Sequence, residues 1–176
     1  MDRNDFYFIE VNSRIQVEHP VSEEITGQDL IARQLSVASG RGIGVAQQDI
    51  VFRGHAIECR VNAEDPLNNF LPSPGRVTGW APPAREGVRI DSHMRQGDLV
   101  PPYYDSMVGK LIVHAADREH AIESMLAAIR DFRIEGIRTT LPLAAHVVGH
   151  ADFRSNQFST RWLEDKGLPV YLAQQE

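Results

Sequence analysis

A row of polar side chains near the start of the sequence has the residue types that bind small anions and divalent cations. Within the segment EVNSRIQVEH the polar residues recur at every second position, and they are Glu10, Asn12, Arg14, Gln16 and Glu18. In an extended backbone successive side chains point to opposite faces, so these residues are expected to share one face. Spacing alone leaves open a second interpretation, in which the row is the solvent-exposed face of an edge strand.

Four of the five side chains of the row suggest chemical roles. Glu10 and Asn12 offer hard oxygen ligands of the kind that Mg²⁺ or Mn²⁺ prefers. Arg14 could hold a small planar anion through two parallel hydrogen bonds. Glu18 could act as a general base, most effectively if burial raises its pKa toward neutrality. Many reactions use such groups, and the spacing does not choose among them.

Two elements are predicted to position the row. The aromatic and β-branched run Phe6–Val11 predicts a buried strand, whose sheet neighbours must come from elsewhere in the chain. A helix is predicted over Thr26–Ala38, with Thr26 and Asp29 as an incomplete capping box and with glycines 40 and 42 at its end.

The remainder of the chain predicts β structure followed by helices. One strand is expected to carry its apolar residues on one side and its polar residues on the other; the apolar ones are Val51, Ile57, Cys59 and Val61, and the polar ones are Glu58, Arg60 and Asn62. Further strands are predicted at Arg76–Trp80, Gly87–Asp91 and Val108–His114. Helices are predicted from Asp117 to Gly136, from Thr140 to Val148 and at Trp162–Leu163.

Composition limits the classes of function. The net charge of −6 argues against nonspecific nucleic-acid binding, and no apolar run is long enough to span a bilayer. Cys59 is the single cysteine, which excludes an intrachain disulfide and favours a cytoplasmic setting. Lys110 and Lys166 are the only lysines among 18 basic residues. The excess of arginine suits recognition of planar anions, although a GC-rich genome explains it equally well.

Several segments resemble one family. Phe8–Pro20, followed by Glu24–Leu30, is similar to a signature shared by biotin carboxylases and carbamoyl-phosphate synthetases of the ATP-grasp superfamily. Further motifs resemble biotin carboxylase in particular; they are Arg53–Pro66, Phe70–Gly75, Pro102–Ile112 and Gly136–Thr140.

The resemblance implies an α+β fold. Residues 1–50 would form the C-terminal end of an ATP-grasp domain, and residues 51–165 the biotin carboxylase C-terminal domain, a mostly antiparallel sheet with packed helices. Residues 166–176 would form a tail.

The resemblance also assigns catalytic roles. Glu18 would deprotonate bicarbonate, so that it attacks the γ-phosphate of ATP and forms carboxyphosphate. Arg14 would bind bicarbonate, assisted by Gln16 and the backbone of Val17. Arg60 would stabilise the enolate of biotin, as a fixed cation placed where negative charge develops.

Cofactors and partners follow from the same resemblance. Glu10 and Asn12 would bind Mg²⁺ or Mn²⁺, and Thr160 would lie near the adenine of ATP. Biotin would arrive on a biotin carboxyl carrier protein or domain, and a carboxyltransferase component and a second copy of the chain are the other expected partners. Nucleic acid and membrane are not expected partners.

The family's lid over the phosphates and its ATP-binding lysines belong to segments upstream of the matched motifs, so we expect the isolated chain to be inactive. Two alternatives stay open. One is a non-catalytic module for dimerisation or carrier docking, and the other is a different ATP-grasp ligase, such as a carbamoyl-phosphate synthetase.

Overall fold

The computed structural model describes residues 7–175. The helices are α1 (His19–Thr26), α2 (Leu30–Ala38), α3 (Arg118–Asp131), α4 (Leu141–Gly149), α5 (Ala151–Arg154) and α6 (Leu168–Ala173). The strands are β1 (His55–Asn62), β2 (Glu64–Asp65), β3 (Leu71–Pro72), β4 (Gly75–Arg76), β5 (Gly79–Ala81), β6 (Val88–Asp91), β7 (Leu99–Val100), β8 (Met107–Ala115) and β9 (Arg133–Glu135). None of the helices within residues 7–175 is long and apolar enough to cross a membrane.

A three-stranded antiparallel sheet in the order β1-β8-β6 is the framework of the fold. The remaining strands form the small pairs β2-β3, β4-β7 and β5-β9. One face of the sheet carries Ile57, Val61, Leu111 and Val113, which belong to a buried core shared with α3 and α4. The opposite face carries polar side chains and lies against α1. Helix α1 therefore joins the polar row of the sequence to the sheet.

The predicted strand at Phe6–Val11 is wrong where it can be assessed. Phe6 lies outside the described residues, and residues 7–11 form no strand. Their apolar side chains are exposed rather than buried, from 75% at Val11 to 88% at Ile9. A single strand leaves its backbone groups without partners, and the described residues supply no neighbouring strand for this segment.

The helix predicted from Thr26 begins only at Leu30, as α2, and Thr26 is instead the last residue of a separate helix, α1. Gly27 adopts φ +67° directly after Thr26 and ends α1, because only glycine enters this left-handed conformation without strain. Asp29 then caps α2 by accepting a hydrogen bond from the backbone N–H of Ala32 at 2.7 Å. Thr26 thus closes one helix instead of capping the next, and α1 was not predicted.

The β-rich part is predicted well where strands are long. The strands predicted at Gly87–Asp91 and Val108–His114 correspond to β6 and β8. The one predicted at Arg76–Trp80 is instead divided between β4 and β5, which pair with different partners. Val51 lies outside β1 and is exposed.

The helical predictions are mostly confirmed. Asp117 caps α3 by accepting from the backbone N–H of His120 at 3.0 Å, and α4 covers the helix predicted from Thr140 to Val148. Gly136 does not end α3, because β9 lies between them. The predicted tail contains α6, in which Tyr171 is buried.

Candidate functional site

The loop before α1 meets strand β1 through an ion pair. Arg60 Nη2 donates to Glu18 Oε2 at 3.0 Å, although the two residues are 42 positions apart. Their side chains are about half exposed, 55% for Arg60 and 53% for Glu18. The structure therefore brings together two of the three residues predicted to be catalytic.

The third residue, Arg14, shares a cavity with Glu18. This cavity has a volume of about 380 Å³, and the members of the polar row that line it are Asn12, Arg14, Gln16 and Glu18. The backbone turns at Val17 and Glu18 before α1 begins, yet these side chains still face one space. The guanidinium of Arg14 is also close enough to contribute to the electrostatics of Glu18. The cavity can thus offer a small anion both a cation and a carboxylate.

The pKa of Glu18 is lowered rather than raised, so the condition under which Glu18 would be most effective as a general base is not met in this structure. The backbone N–H of Glu18 itself and the hydrogen bond from Arg60 lower the pKa of this carboxyl, and they outweigh the effect of burial. Glu18 is half exposed, so little desolvation opposes them. It is consequently an ionised carboxylate at neutral pH, able to accept a proton but a weak base in this state.

Glu10 and Asn12 do not form a complete metal site. Asn12 Nδ2 donates to Glu10 Oε1 at 3.4 Å, while Asn12 Oδ1 accepts from Arg14 at 3.5 Å. Among residues 7–175 no group of three or more His, Cys, Asp or Glu side chains is placed to hold a metal ion. A divalent cation needs more ligands than these two exposed side chains supply.

Thr160 is not brought to the cavity. It is exposed in a turn just before Trp162 and is not among the residues lining the space beside Glu18. Its expected contact with adenine stays a prediction.

The sequence analysis missed Lys110, which reaches the same loop from the sheet. Lys110 lies in β8, its side chain is 9% exposed, and its Nζ donates to the backbone oxygen of Val17 at 2.9 Å. The same nitrogen lies 3.4 Å from Asp91 Oδ2 on β6. A signal was present in the sequence, because a lysine inside an apolar strand must find polar partners when the strand is buried.

Arg89 fastens α1 to the sheet. It donates to Glu23 on α1 at 2.7 Å and to both carboxylate oxygens of Asp91 at 2.8 and 2.9 Å. Glu23 is buried and also accepts from the backbone N–H of Leu30 at 2.7 Å, at the start of α2. The loop and the helix that follow the polar row are therefore held by the Lys110, Asp91 and Arg89 side chains.

Glu58 lies on the same strand as Arg60, two positions before it. Both of its carboxylate oxygens are buried and have no hydrogen-bond partner within the described residues. Burial raises the pKa of Glu58, and the nearby cation of Lys110 opposes that rise.

Comparison with known proteins identifies the family. Residues 58–165 match the family described as "Biotin carboxylase C-terminal domain", and the chain belongs to this family. Residues 1–45 match "Carbamoyl-phosphate synthase L chain, ATP binding domain". The predicted resemblance and the predicted α+β fold are both confirmed.

Individual relatives agree with this assignment. Biotin carboxylase 1 of Bacillus subtilis is 50% identical over 159 residues, which are 90% of this chain and 35% of that protein. Biotin carboxylase of Pseudomonas aeruginosa is 48% identical over 161 residues, which are 92% of this chain and 36% of that protein. The chain spans about a third of the length of the curated relatives that it matches.

A solved structure shares the fold. It is the biotin carboxylase domain dimer of the Hydrogenobacter thermophilus 2-oxoglutarate carboxylase, in complex with MgADP, ADP and bicarbonate. Its TM-score with this chain is 0.91 at 43% sequence identity, over 96% of this chain and 37% of the other.

Proposed function

We propose that this chain forms the part of a biotin carboxylase that binds bicarbonate and promotes its reaction with ATP and biotin. The observation that carries the proposal is the 3.0 Å pair between Arg60 and Glu18, because Glu18 also lines a cavity together with Arg14. Arg14 can thus bind an anionic substrate, Glu18 can accept a proton, and Arg60 supplies a second cation from a distant segment of the sequence.

In the proposed first step, the guanidinium of Arg14 holds bicarbonate, with Gln16 and the backbone of Val17 as further contacts. Glu18 accepts the hydroxyl proton of bicarbonate. An oxygen of the resulting carbonate attacks the γ-phosphorus of ATP, the bond to the bridging oxygen breaks, and carboxyphosphate and ADP form. A positioned carboxylate base is worth about 10²- to 10⁴-fold in rate.

In the proposed second step, carboxyphosphate breaks its C–O bond to give CO₂ and phosphate. The phosphate takes the ureido N–H proton of biotin, and the enolate that forms attacks CO₂ to give carboxybiotin. Arg60 stabilises the negative charge on the biotin oxygen in this step, since a fixed cation is most effective where charge develops.

The Glu18–Arg60 pair offers a physical link between the two substrates. While Arg60 donates to Glu18, it helps to keep the pKa of this carboxyl low. Biotin that draws Arg60 away would remove that hydrogen bond and make Glu18 a stronger base. Proton transfer from bicarbonate would then be favoured when biotin is present.

The setting of the reaction is part of the proposal. A biotin carboxyl carrier protein or domain delivers biotin, a carboxyltransferase component uses the product, and Mg²⁺ or Mn²⁺ accompanies ATP. Two copies of the chain associate, in keeping with the dimeric Hydrogenobacter structure. The single cysteine favours a cytoplasmic location.

A chimaera tests the proposal. This chain would replace the matching segment of Bacillus subtilis biotin carboxylase 1, which is 50% identical to it. We expect bicarbonate- and biotin-dependent ATP hydrolysis, and we expect Glu18→Gln or Arg60→Gln to lower its rate at least about 100-fold.

Arg85→Gln is the matched control, because Arg85 forms an exposed pair with Asp131 at 2.6 Å and has no proposed role in the reaction. It should leave the rate unchanged. Full activity in folded Glu18→Gln and Arg60→Gln chimaeras would contradict the proposal. A folded but inactive unmutated chimaera would favour the non-catalytic module instead.

A further inference from the structure

We infer that Lys110 is a positioning residue, which holds the Val17–Glu18 peptide so that the Glu18 carboxylate faces the anion cavity. The role of Glu18 in this inference rests on the proposed function, whereas the contact made by Lys110 does not.

The pairing of the strands places Lys110 under the loop. Lys110 lies opposite Arg60 on β1 and opposite Asp91 on β6, so the three side chains share the face of the sheet that α1 covers. From the middle strand the Lys110 amino group spans the layer and reaches the Val17 oxygen, 93 positions earlier in the chain.

Val17 differs from its neighbours in how its carbonyl is satisfied. The Gln16 oxygen accepts from the backbone N–H and the ring of His19, and the Glu18 oxygen accepts from the backbone N–H of Val21 at 3.2 Å. All three of these hydrogen bonds are local to the start of α1. The Val17 oxygen is bound by Lys110, so the sheet fixes this peptide directly.

Holding the Val17 oxygen also sets the direction of the Glu18 N–H. In a planar trans peptide the C=O and N–H bonds point in opposite directions. With the oxygen turned toward Lys110, the N–H is turned away from the sheet. This N–H makes the largest single contribution to the lowered pKa of the Glu18 carboxyl.

The burial of Lys110 gives the contact its strength. Removing an amino group from water is costly unless polar partners replace the water. Its partners are the Val17 oxygen and Asp91, and Asp91 is shared with Arg89. Moving the loop away would leave Lys110 with one partner in a buried position, so the fold resists that movement.

The experiment compares the chain's only two lysines. In the 176-residue chain, the Glu18 carboxyl is titrated by ¹³C NMR, with Glu18→Gln to assign its resonance, and the Val17 carbonyl shift is recorded. Lys110→Met is expected to raise the pKa of Glu18 by roughly half a unit or more and to shift the Val17 carbonyl resonance upfield. The groups facing Glu18 that stay in place are Arg14, Arg60 and Glu58.

Lys166→Met is the control. Lys166 is exposed and pairs with Asp152 at 2.5 Å, so its removal should change neither signal. A folded Lys110→Met chain with an unchanged Glu18 titration would overturn the inference. The titration needs neither bicarbonate nor ATP, so its outcome is independent of whether the chimaera is active.

A second measurement avoids the substitution if Lys110→Met does not fold. With ¹⁵N-labelled lysine, the unmutated chain gives two side-chain amino signals. The Lys110 signal should persist at neutral pH, because protons held in a buried hydrogen bond exchange slowly, while the Lys166 signal should be lost to exchange. Equal, fast exchange at both lysines would refute the inference.

Discussion

At the scale of single residues, Glu58 makes the stability of the fold depend on pH. Burial raises its pKa above the ordinary value of 4.5, so the folded chain holds the Glu58 proton more tightly than the unfolded chain does. The corresponding stability is fully present below pH 4.5 and is lost as the pH rises through the raised value. A buried ionised carboxylate without a hydrogen-bond partner is therefore destabilising at alkaline pH.

We accordingly expect Glu58→Gln to increase the free energy of unfolding by about 1 kcal/mol at pH 8 and by close to zero at pH 4. Urea denaturation at the two pH values measures the difference. Glu164→Gln removes an exposed carboxylate and should have no comparable pH dependence. Equal effects of Glu58→Gln at both pH values would show that Glu58 finds a partner in solution.

Gly136 is a position where the backbone and its surroundings both require glycine. It has φ +90°, and an added Cβ would collide with the backbone oxygen of Arg76 and approach the Thr78 nitrogen to 2.9 Å. The neighbouring turn aligns β9 with β5. A side chain at Gly136 would thus force the two segments apart.

Gly97 makes a matched control, because it has φ +97° but no atom within 4 Å of an added Cβ. Gly97→Ala should cost about 1 kcal/mol from backbone conformation alone. Gly136→Ala should cost about 1–3 kcal/mol more from the collision, as overpacking does elsewhere. Thermal or urea denaturation measures the stability of the two variants. Similar losses of stability would mean that the backbone around β5 and β9 can shift to accommodate the added Cβ.

At the scale of elements, α1 depends on charges from the sheet more than on its own sequence. It has eight residues, which is too short for an isolated helix to be stable in water. Arg89 holds it through Glu23, which is 8% exposed, and through Glu24 at 3.3 Å. The helix and the loop before it should therefore loosen together when Arg89 is removed.

Hydrogen exchange tests this dependence. Arg89→Gln leaves the buried Glu23 carboxylate without its cation, a loss of about 1.5–3 kcal/mol, so the amides of α1 should exchange at least about tenfold faster. The amides of α3, on the other face of the sheet, should be unaffected. Arg85→Gln serves as the control because its ion pair is exposed. Unchanged exchange in α1 would show that apolar packing suffices to hold it.

These elements also show what the sequence could and could not predict. The sequence predicts helix α3 because its buried residues recur at helical spacing, and it predicts strand β8 because a mostly apolar run is buried on both faces. The two- and three-residue strands β4 and β5 are defined by their partners, and a local pattern does not contain that information. The division between α1 and α2 depends on the conformation of one residue, Gly27.

The site also contains residues that the sequence predicted and residues that it did not. Arg14 and Glu18 line one cavity, but Ile15, which alternation places on the opposite face, lines it too, so the cavity does not follow from an extended backbone. The role of Arg60 at this site was predicted from the family resemblance and not from the spacing of residues. Lys110 and Arg89 were missed because their positions under the loop follow from strand register, which the periodicity of a single strand does not specify.

At the scale of the whole molecule, the apolar exposure is uneven. Leu35 on α2 is 64% exposed and Phe8 in the first segment is 81% exposed. The apolar side chains between the β1-β8-β6 sheet and α3 are instead buried. Both exposed residues lie within residues 1–45, which match the family described as "Carbamoyl-phosphate synthase L chain, ATP binding domain". The part of the chain that carries the proposed metal ligands is thus also the part with the least core of its own.

The exposed position of the proposed metal ligands leads us to expect that the 176-residue chain alone does not hydrolyse ATP in response to bicarbonate and biotin. Glu10 and Asn12 are exposed, and residues 7–175 contain no group of three His, Cys, Asp or Glu side chains that could hold the metal of Mg-ATP. Phosphate release at saturating ATP, bicarbonate and biotin should equal the buffer rate, while the chimaera with the Bacillus protein turns over. Turnover by the isolated chain, abolished by Glu18→Gln, would show that its own residues bind ATP, and would place the catalytic centre entirely within this third of the relatives' length.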